Sequence, residues 1–378
     1  MPRLSRRRFL SALVVTAAAS ALPMSALANA EGKPPMISRT RFPQSVASGD
    51  PRPDRVLLWT RVEGSAARLR VQVAEDADFS RCVVDRAMPA STGSDGCIKV
   101  RVQGLRPGTR YHYRFLVDET GGMASSPVGR TRTAPAPDAD VPVKLAFVCC
   151  QDYGGRWYNT LLPLQDEDLD FVLHLGDFIY ETAGDPSFQS TTGERRIVFD
   201  DLDGALRLGS GDGTYYAARS LSNYRQLHRS YRTDPMLQRL LETTPLVAIW
   251  DDHEFSDDCW QDTGTYADGR RDERDGERRR NAEQAYFEYL PVDVEPDLAD
   301  DALLPVARER LFPHVRMWRR LRFGKAVDLL LTDYRSGRPD HLIPEDAFPG
   351  ALIADAEFAN GMIDILKEGI DDFLCDFL

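Results

Sequence analysis

Apolar positions along the chain fall into two textures. Between residues 40 and 133 they form short runs, DRVLLWTRV (54–62), RLRVQVAED (68–76), CIKVRVQGL (97–105) and RYHYRFLVD (110–118), separated by turn residues such as EGSA and RPGT. Short runs rich in Val, Leu and aromatics and broken by Gly, Pro, Asp and Ser read as strands of an all-β module. After residue 142 the runs become nearly continuous: VKLAFVCC (143–150), LDFVLHLGD (169–177), TPLVAIWDD (244–252) and VDLLLTD (327–333). Strands buried on both faces of a parallel sheet look like this. Between them, YYAARSLSNYRQLHRSYRTDPMLQRLLET and GERRRNAEQAYFEYL repeat apolar residues at three- and four-residue steps, predicting helices. The mixed-sign run DGRRDERDGERRR near 268–280 is expected to be a solvated loop and helix start.

The expected fold is thus an immunoglobulin- or fibronectin-like β-sandwich over residues 40–133 followed by an α/β domain over 143–378. GLRPGTRYHYRF in particular resembles the strand-turn-strand of fibronectin type III modules. Residues 134–142, with Pro135, Pro137 and Pro142 in or beside them, read as the linker. At 378 residues the chain is long for one core, which agrees with two domains.

The first 28 residues are of another kind. An arginine cluster, a modest apolar run and Ala26-Leu27-Ala28 have the layout of a cleavable export signal. Arg6-Arg7 after Ser5, with Phe9-Leu10 following, resembles a twin-arginine signal, which implies the twin-arginine translocase as a partner and a periplasmic or secreted product. No other segment reads as a membrane span. The net charge of −12 becomes −16 once the signal's four arginines are removed. Such a chain is a poor nonspecific ligand for nucleic acid or an anionic membrane. Of the six cysteines, Cys82 and Cys97 are the expected disulfide pair, whereas adjacent Cys149 and Cys150 are awkward to bridge.

All four continuous runs end on a polar group: Cys150, Asp177, Asp251-Asp252-His253 and Asp333. In an open parallel sheet, ligands bind outside the carboxyl ends of the strands, so one place would receive thiol, carboxylates and imidazole. A single such Asp is commonly only a cap or turn former. In GDFIYE, Tyr180 follows Asp177 by three positions. A phenol with a free pKa near 10 binds only a strongly acidic cation at neutral pH, and ferric ion fits; otherwise Tyr180 packs with Phe178 and Ile179. The adjacent carboxylates of WDDHE call for a neutralising cation, and His253 beside them can protonate a leaving oxygen or ligate metal.

VCCQD, HLGDFIYE, WDDHEFSDD and LTDYRS, in this order behind an export signal and a β-module, resemble the PhoD-type alkaline phosphatases and phosphodiesterases, a family of calcineurin-like metallophosphoesterases. The resemblance runs from about Phe42 to about Gly350. It implies a four-layer αββα metallophosphoesterase domain, hydrolysis of phosphomonoesters or phosphodiesters, and a centre joining Fe3+ to Ca2+. Carried over residue by residue, Cys150 and Tyr180 would ligate iron and Asp177 would bridge the metals. Asp252 would take the place of the superfamily's metal-binding asparagine, and His253 that of its general acid. A metal-activated hydroxide would attack the phosphorus in line. Arg335 is a candidate for contacting phosphate, or else for capping a carboxylate.

Family members run on beyond this length to a Gly-Asp-x-His-type motif. Nothing after Asp333 matches it: His341 is the only later histidine, and the tail reads as one acidic amphipathic helix. The domain is therefore expected to be incomplete at its C-terminus. A purple-acid-phosphatase relative would need Asp-x-His where this chain has Cys-Cys-Gln. Two further readings stay open, a phospholipase D-like phosphodiesterase and an inactive exported protein.

Overall fold

The computed structural model describes residues 34–65, 68–88, 93–120, 122–190, 192–264, 273–293 and 303–339. The export signal, His341 and the tail helix lie outside the described residues.

The N-terminal strands are β1 (Met36–Ile37), β2 (Val46–Arg52), β3 (Arg55–Arg61), β4 (Leu69–Ala74), β5 (Cys82–Met88), β6 (Cys97–Gln103), β7 (Arg110–Glu119), β8 (Gly122–Ser125) and β9 (Gly129–Arg132). One sheet runs β1-β8-β7-β4-β5, with β9 pairing a second stretch of β7. Its inward positions, among them Val71, Val73, Tyr113, Phe115 and Val117, share a core with Val46, Val56, Leu58, Val100 and Val102 of β2, β3 and β6. Period-two burial along β4 and β7 follows from the pleat, which turns alternate side chains to opposite faces. The expected Cys82–Cys97 disulfide is overturned: both thiols are free. Cys82 begins an edge strand of this sheet, whereas Cys97 begins a strand of the facing one and is buried in a different core.

Residues 134–144 carry neither helix nor strand. Beyond them come β10 (Leu145–Val148), β11 (Phe171–His174), β12 (Thr182–Ala183), β13 (Leu206–Leu208), β14 (Tyr215–Ala217) and β15 (Leu246–Ala248). β10, β11 and β15 are parallel, and β15 also pairs with β2, so one sheet runs β10-β11-β15-β2-β3-β6. Gly49 makes this joint possible: a Cβ there would collide with the carbonyls of Pro291 and Leu246. β12, β14 and β13 form a small antiparallel sheet beside it.

Helix α1 (Leu221–Tyr231) starts at a capping box between Ser220 and Asn223. Helix α2 (Pro235–Thr243) starts at Asp234, which accepts from Met236 N and Leu237 N, with proline at its first position. Strands β16 (Thr263–Gly264) and β17 (Glu273–Arg274) pair ahead of α3 (Gly276–Tyr289). The expectation that Arg278 and Arg279 sit in a solvated stretch is corrected, because α3 is buried almost all round. Buried cations need partners. Arg278 donates to Ala218 O and the Tyr224 hydroxyl, and Arg279 pairs with Glu283 at 2.7 Å.

The fourth continuous run also departs from expectation. It forms β19 (Val327–Leu331), antiparallel to β18 (Arg319–Phe323), as a hairpin outside the six-stranded sheet. Its alternation of inward Val327, Leu329 and Leu331 with outward Asp328 and Leu330 is the period of a one-sided strand. The hairpin packs on the sheet through Phe323 stacked on Phe171 at 4.3 Å. Arg319 bonds both oxygens of buried Asp50 at 2.9 Å and tethers the hairpin to β2. Helix α4 (Tyr334–Gly337) follows. Among the described residues, no helix is long and apolar enough to cross a membrane.

Candidate metal centre

In the parallel register Val148, His174 and Ala248 stand level, so three strands release their loops side by side. Main-chain bonds keep the loops adjacent past the strand ends. Cys150 N donates to Gly176 O and Gln151 N to Asp177 O, each at 3.2 Å. Gly176, at φ +111°, lets the β15 loop approach, since a Cβ there would collide with Asp251. Cys150 and Asp177 both hold left-handed conformations, φ +55° and +56°. Such positions cost about 1–3 kcal/mol each and persist where neighbouring structure imposes them.

Ligand atoms of Asp177, Asp252 and His253 lie within 4.8 Å of one another. Asp177 and Asp252 are buried, and Asp177 Oδ1 has no hydrogen-bond partner. The Cys150 thiol lies close enough to the Asp177 carboxylate to feel its charge. The Tyr180 ring lies 4.1 Å from the His253 ring. Burial pushes Asp177 up, with Asp252 and Asp251 adding to it, to about 6 despite the opposing charge of His253. Burial, then the Asp177 and Cys150 charges, drives the Tyr180 phenol well above its usual value. Burial and Asp177 do the same to Cys150. Asp177, Tyr180 and Cys150 thus resist ionising together, and a cation among them reverses that preference. The unpartnered buried Asp177 oxygen and the donor set of thiol, phenol and carboxylates fit a metal ion.

His253 responds in the other direction. Burial alone would lower it, but the Glu181 carboxylate 2.7 Å from Nδ1, backed by Asp252 and Asp177, raises it to about 10. Glu181 is fully buried and also accepts from Asp257 N at 2.8 Å. These carboxylates favour the imidazolium, with Nδ1 held against Glu181.

The PhoD-like phosphatase profile matches residues 145–358, more than half of the chain. The chain belongs to the PhoD-like phosphatase family. The N-terminal domain profile of PhoD-like phosphatases matches residues 27–135. Alkaline phosphatase D of Bacillus subtilis (strain 168) is 32% identical over 324 residues, covering 81% of this chain and 48% of that protein. A solved structure of PhoD aligns with a TM-score of 0.63 at 30% identity, over 82% of this chain and 55% of its own. The chain thus spans about half the length of these relatives. The architecture is that of the family: a β-sandwich followed by an α/β metallophosphoesterase domain.

Within this PhoD-like framework, Cys150, Asp177, Tyr180, Asp252 and His253 converge. Arg335 stands behind them. Its Nε donates to Asp251 at 2.6 Å, Nη1 reaches Asp258 and Cys259 O at 3.2 Å, and Nη2 lies 3.4 Å from Asp252. Asp333 is not gathered into the cluster; it accepts from Trp250 Nε1 and caps α4 through Ser336 N.

Three buried acids went unread in the sequence. Glu181 ends GDFIYE and Glu254 ends WDDHE, so both were inside recognised motifs, but nothing in either motif names their partners. Asp152 accepts from Gly154 N, Gln189 Nε2 and the Tyr231 hydroxyl, bracing the loop after Cys150. Burial and the Asp177 charge push Glu254 up to about 8, against the pull of three backbone N–H groups.

Proposed function

We propose that this centre hydrolyses phosphate esters, phosphomonoesters or phosphodiesters, with Cys150, Asp177 and Tyr180 holding Fe3+ and Asp177 and Asp252 holding Ca2+. The observation that carries the reading is the convergence of Asp177, Asp252 and His253 within 4.8 Å at the ends of neighbouring parallel strands. Bound cations would neutralise phosphate charge and acidify an attacking water.

The chain's own residues do the rest. His253 carries a proton through neutral pH, and with Nδ1 held by Glu181 its Nε2 is the atom that can hand a proton to the leaving oxygen. Arg335, engaged by Asp251, Asp252 and Asp258, holds the acidic loop together against its own repulsion. In this reading its contact is with carboxylates rather than with phosphate. Export by the twin-arginine route to the periplasm or beyond belongs to the same proposal, supported by Ser5-Arg6-Arg7 and the Ala26-Leu27-Ala28 site.

The test is hydrolysis of p-nitrophenyl phosphate and bis(p-nitrophenyl) phosphate by the full chain, with iron and calcium supplied and then removed by chelator. Turnover that chelation abolishes and Asp177→Ala lacks supports the reading. The ratio of the two rates assigns monoester or diester preference. Absence of turnover in a folded, metal-supplied chain refutes it.

A further inference from the structure

We infer that Glu254 is a positioning residue that locks together the two loops carrying the cation donors. Its Oε1 accepts from Phe178 N at 2.6 Å, and its Oε2 accepts from Asp177 N at 3.1 Å and Asp251 N at 2.8 Å. Asp177 and Phe178 belong to the loop after β11, and Asp251 to the loop after β15. One carboxylate, 4% exposed, therefore fastens two segments more than 70 residues apart in the chain.

Each bond acts on a backbone that sets a ligand's direction. Asp177 is held in the left-handed region, and its own N–H is one of the three donors. Phe178 N, the next peptide, is another, so the carboxylate fixes the turn on both sides of the Asp177 carbonyl. On the opposite loop, Asp252 O accepts from Phe255 N and Ser256 N at 2.8 Å, so Asp252 and Glu254 share one tight turn. Holding Asp251 N and the β11 loop together thereby sets the spacing of Asp177 from Asp252. Three backbone N–H groups converging on the two oxygens of one buried side chain fix both loops relative to it. Groups that orient metal ligands from behind typically matter by about 10–100-fold in metal affinity.

The inference rests on the cation-centre reading above, and two measurements on the full chain keep them separable. Hydrogen exchange followed by mass spectrometry should show the amides of Asp177, Phe178 and Asp251 protected in the wild type. They should exchange at least about tenfold faster in Glu254→Gln, while the amides of β11 and β15 stay unchanged. Iron retained against graded chelator should fall about 10–100-fold in the same variant. Glu254→Asp, a carboxyl group one methylene shorter, should lose one loop's bond and lie between. A purely structural role would instead raise exchange throughout the sheet. Rapid exchange of those three amides in the wild type, or wild-type exchange and iron retention in both variants, overturns the inference. A wild type that holds no iron refutes the cation reading alone, and the exchange pattern still decides whether Glu254 joins the loops.

Discussion

His253 Nδ1 lies 2.7 Å from Glu181 Oε2, and the carboxylate is fully buried. The pair comes from two motifs more than 70 residues apart, and it sets both the charge and the orientation of the imidazole. An ionised carboxylate out of water is costly unless matched, so each partner depends on the other.

Removing that charge has a defined pH signature. The folded-state pKa of His253, about 10, stands above its ordinary 6.5, so between these values the folded chain binds the proton more tightly than the unfolded one. The stabilisation is fully present below about pH 6.5 and is lost as pH rises through about 10. Glu181→Gln should cost about 3 kcal/mol at pH 6 and progressively less toward pH 10, read from melting curves of both proteins across that range. Turnover should fall about 10²–10⁴-fold at neutral pH.

Gly176→Ala tests the close approach of the two loops. The new methyl group would meet Asp251 in a left-handed backbone at φ +111°. Denaturant melts should show a loss of about 3 kcal/mol or more, and retained cation should drop even in the folded fraction.

Arg335→Gln distinguishes a carboxylate clamp from a phosphate contact. Without the guanidinium, Asp251 and Asp252 lose their cation partner, while Asp258 keeps Arg338 at 2.8 Å. Stability should fall by about 2–3 kcal/mol in chelator, and added calcium should restore part of it. A rise in KM with unchanged melting behaviour would point to phosphate instead.

The link between sandwich and α/β domain is also testable. Arg319 bonds both oxygens of Asp50 and the carbonyl of Ala248, all buried. Arg319→Met strips buried Asp50 of its cation partner, leaving it the Asp293 N–H, and should cost about 3–5 kcal/mol by chemical denaturation. Asp50→Asn with Arg319→Met should cost less than the single change.

The short sandwich strands and the three parallel strands were readable because their burial follows directly from the runs of apolar residues. Strand β2, VASGDPR, was not, since Gly, Asp and Pro in succession look like a turn. Yet β2 is the strand through which the two halves share a sheet, and Gly49 is there because two carbonyls crowd it. VDLLLTD was assigned to the wrong sheet because an apolar run does not reveal its neighbours. Cys82 and Cys97 failed for a related reason: separation in sequence carries no information about which sheet each strand joins. At the centre, residue type and strand-end position marked the Cys149-Cys150, Asp177 and Asp251-Asp252 positions, and the family resemblance selected Cys150 and Asp252 among them. The partners that orient them, Glu181 and Glu254, depend on contacts more than 70 residues away in the chain.

The most direct test of the whole account is iron content per chain, measured on the full protein folded without chelators, beside Cys150→Ala. About one equivalent in the wild type, lost in a variant of unchanged melting temperature, is the predicted result. A well-folded wild type without iron, or a Cys150→Ala variant that keeps it, would contradict the proposed centre.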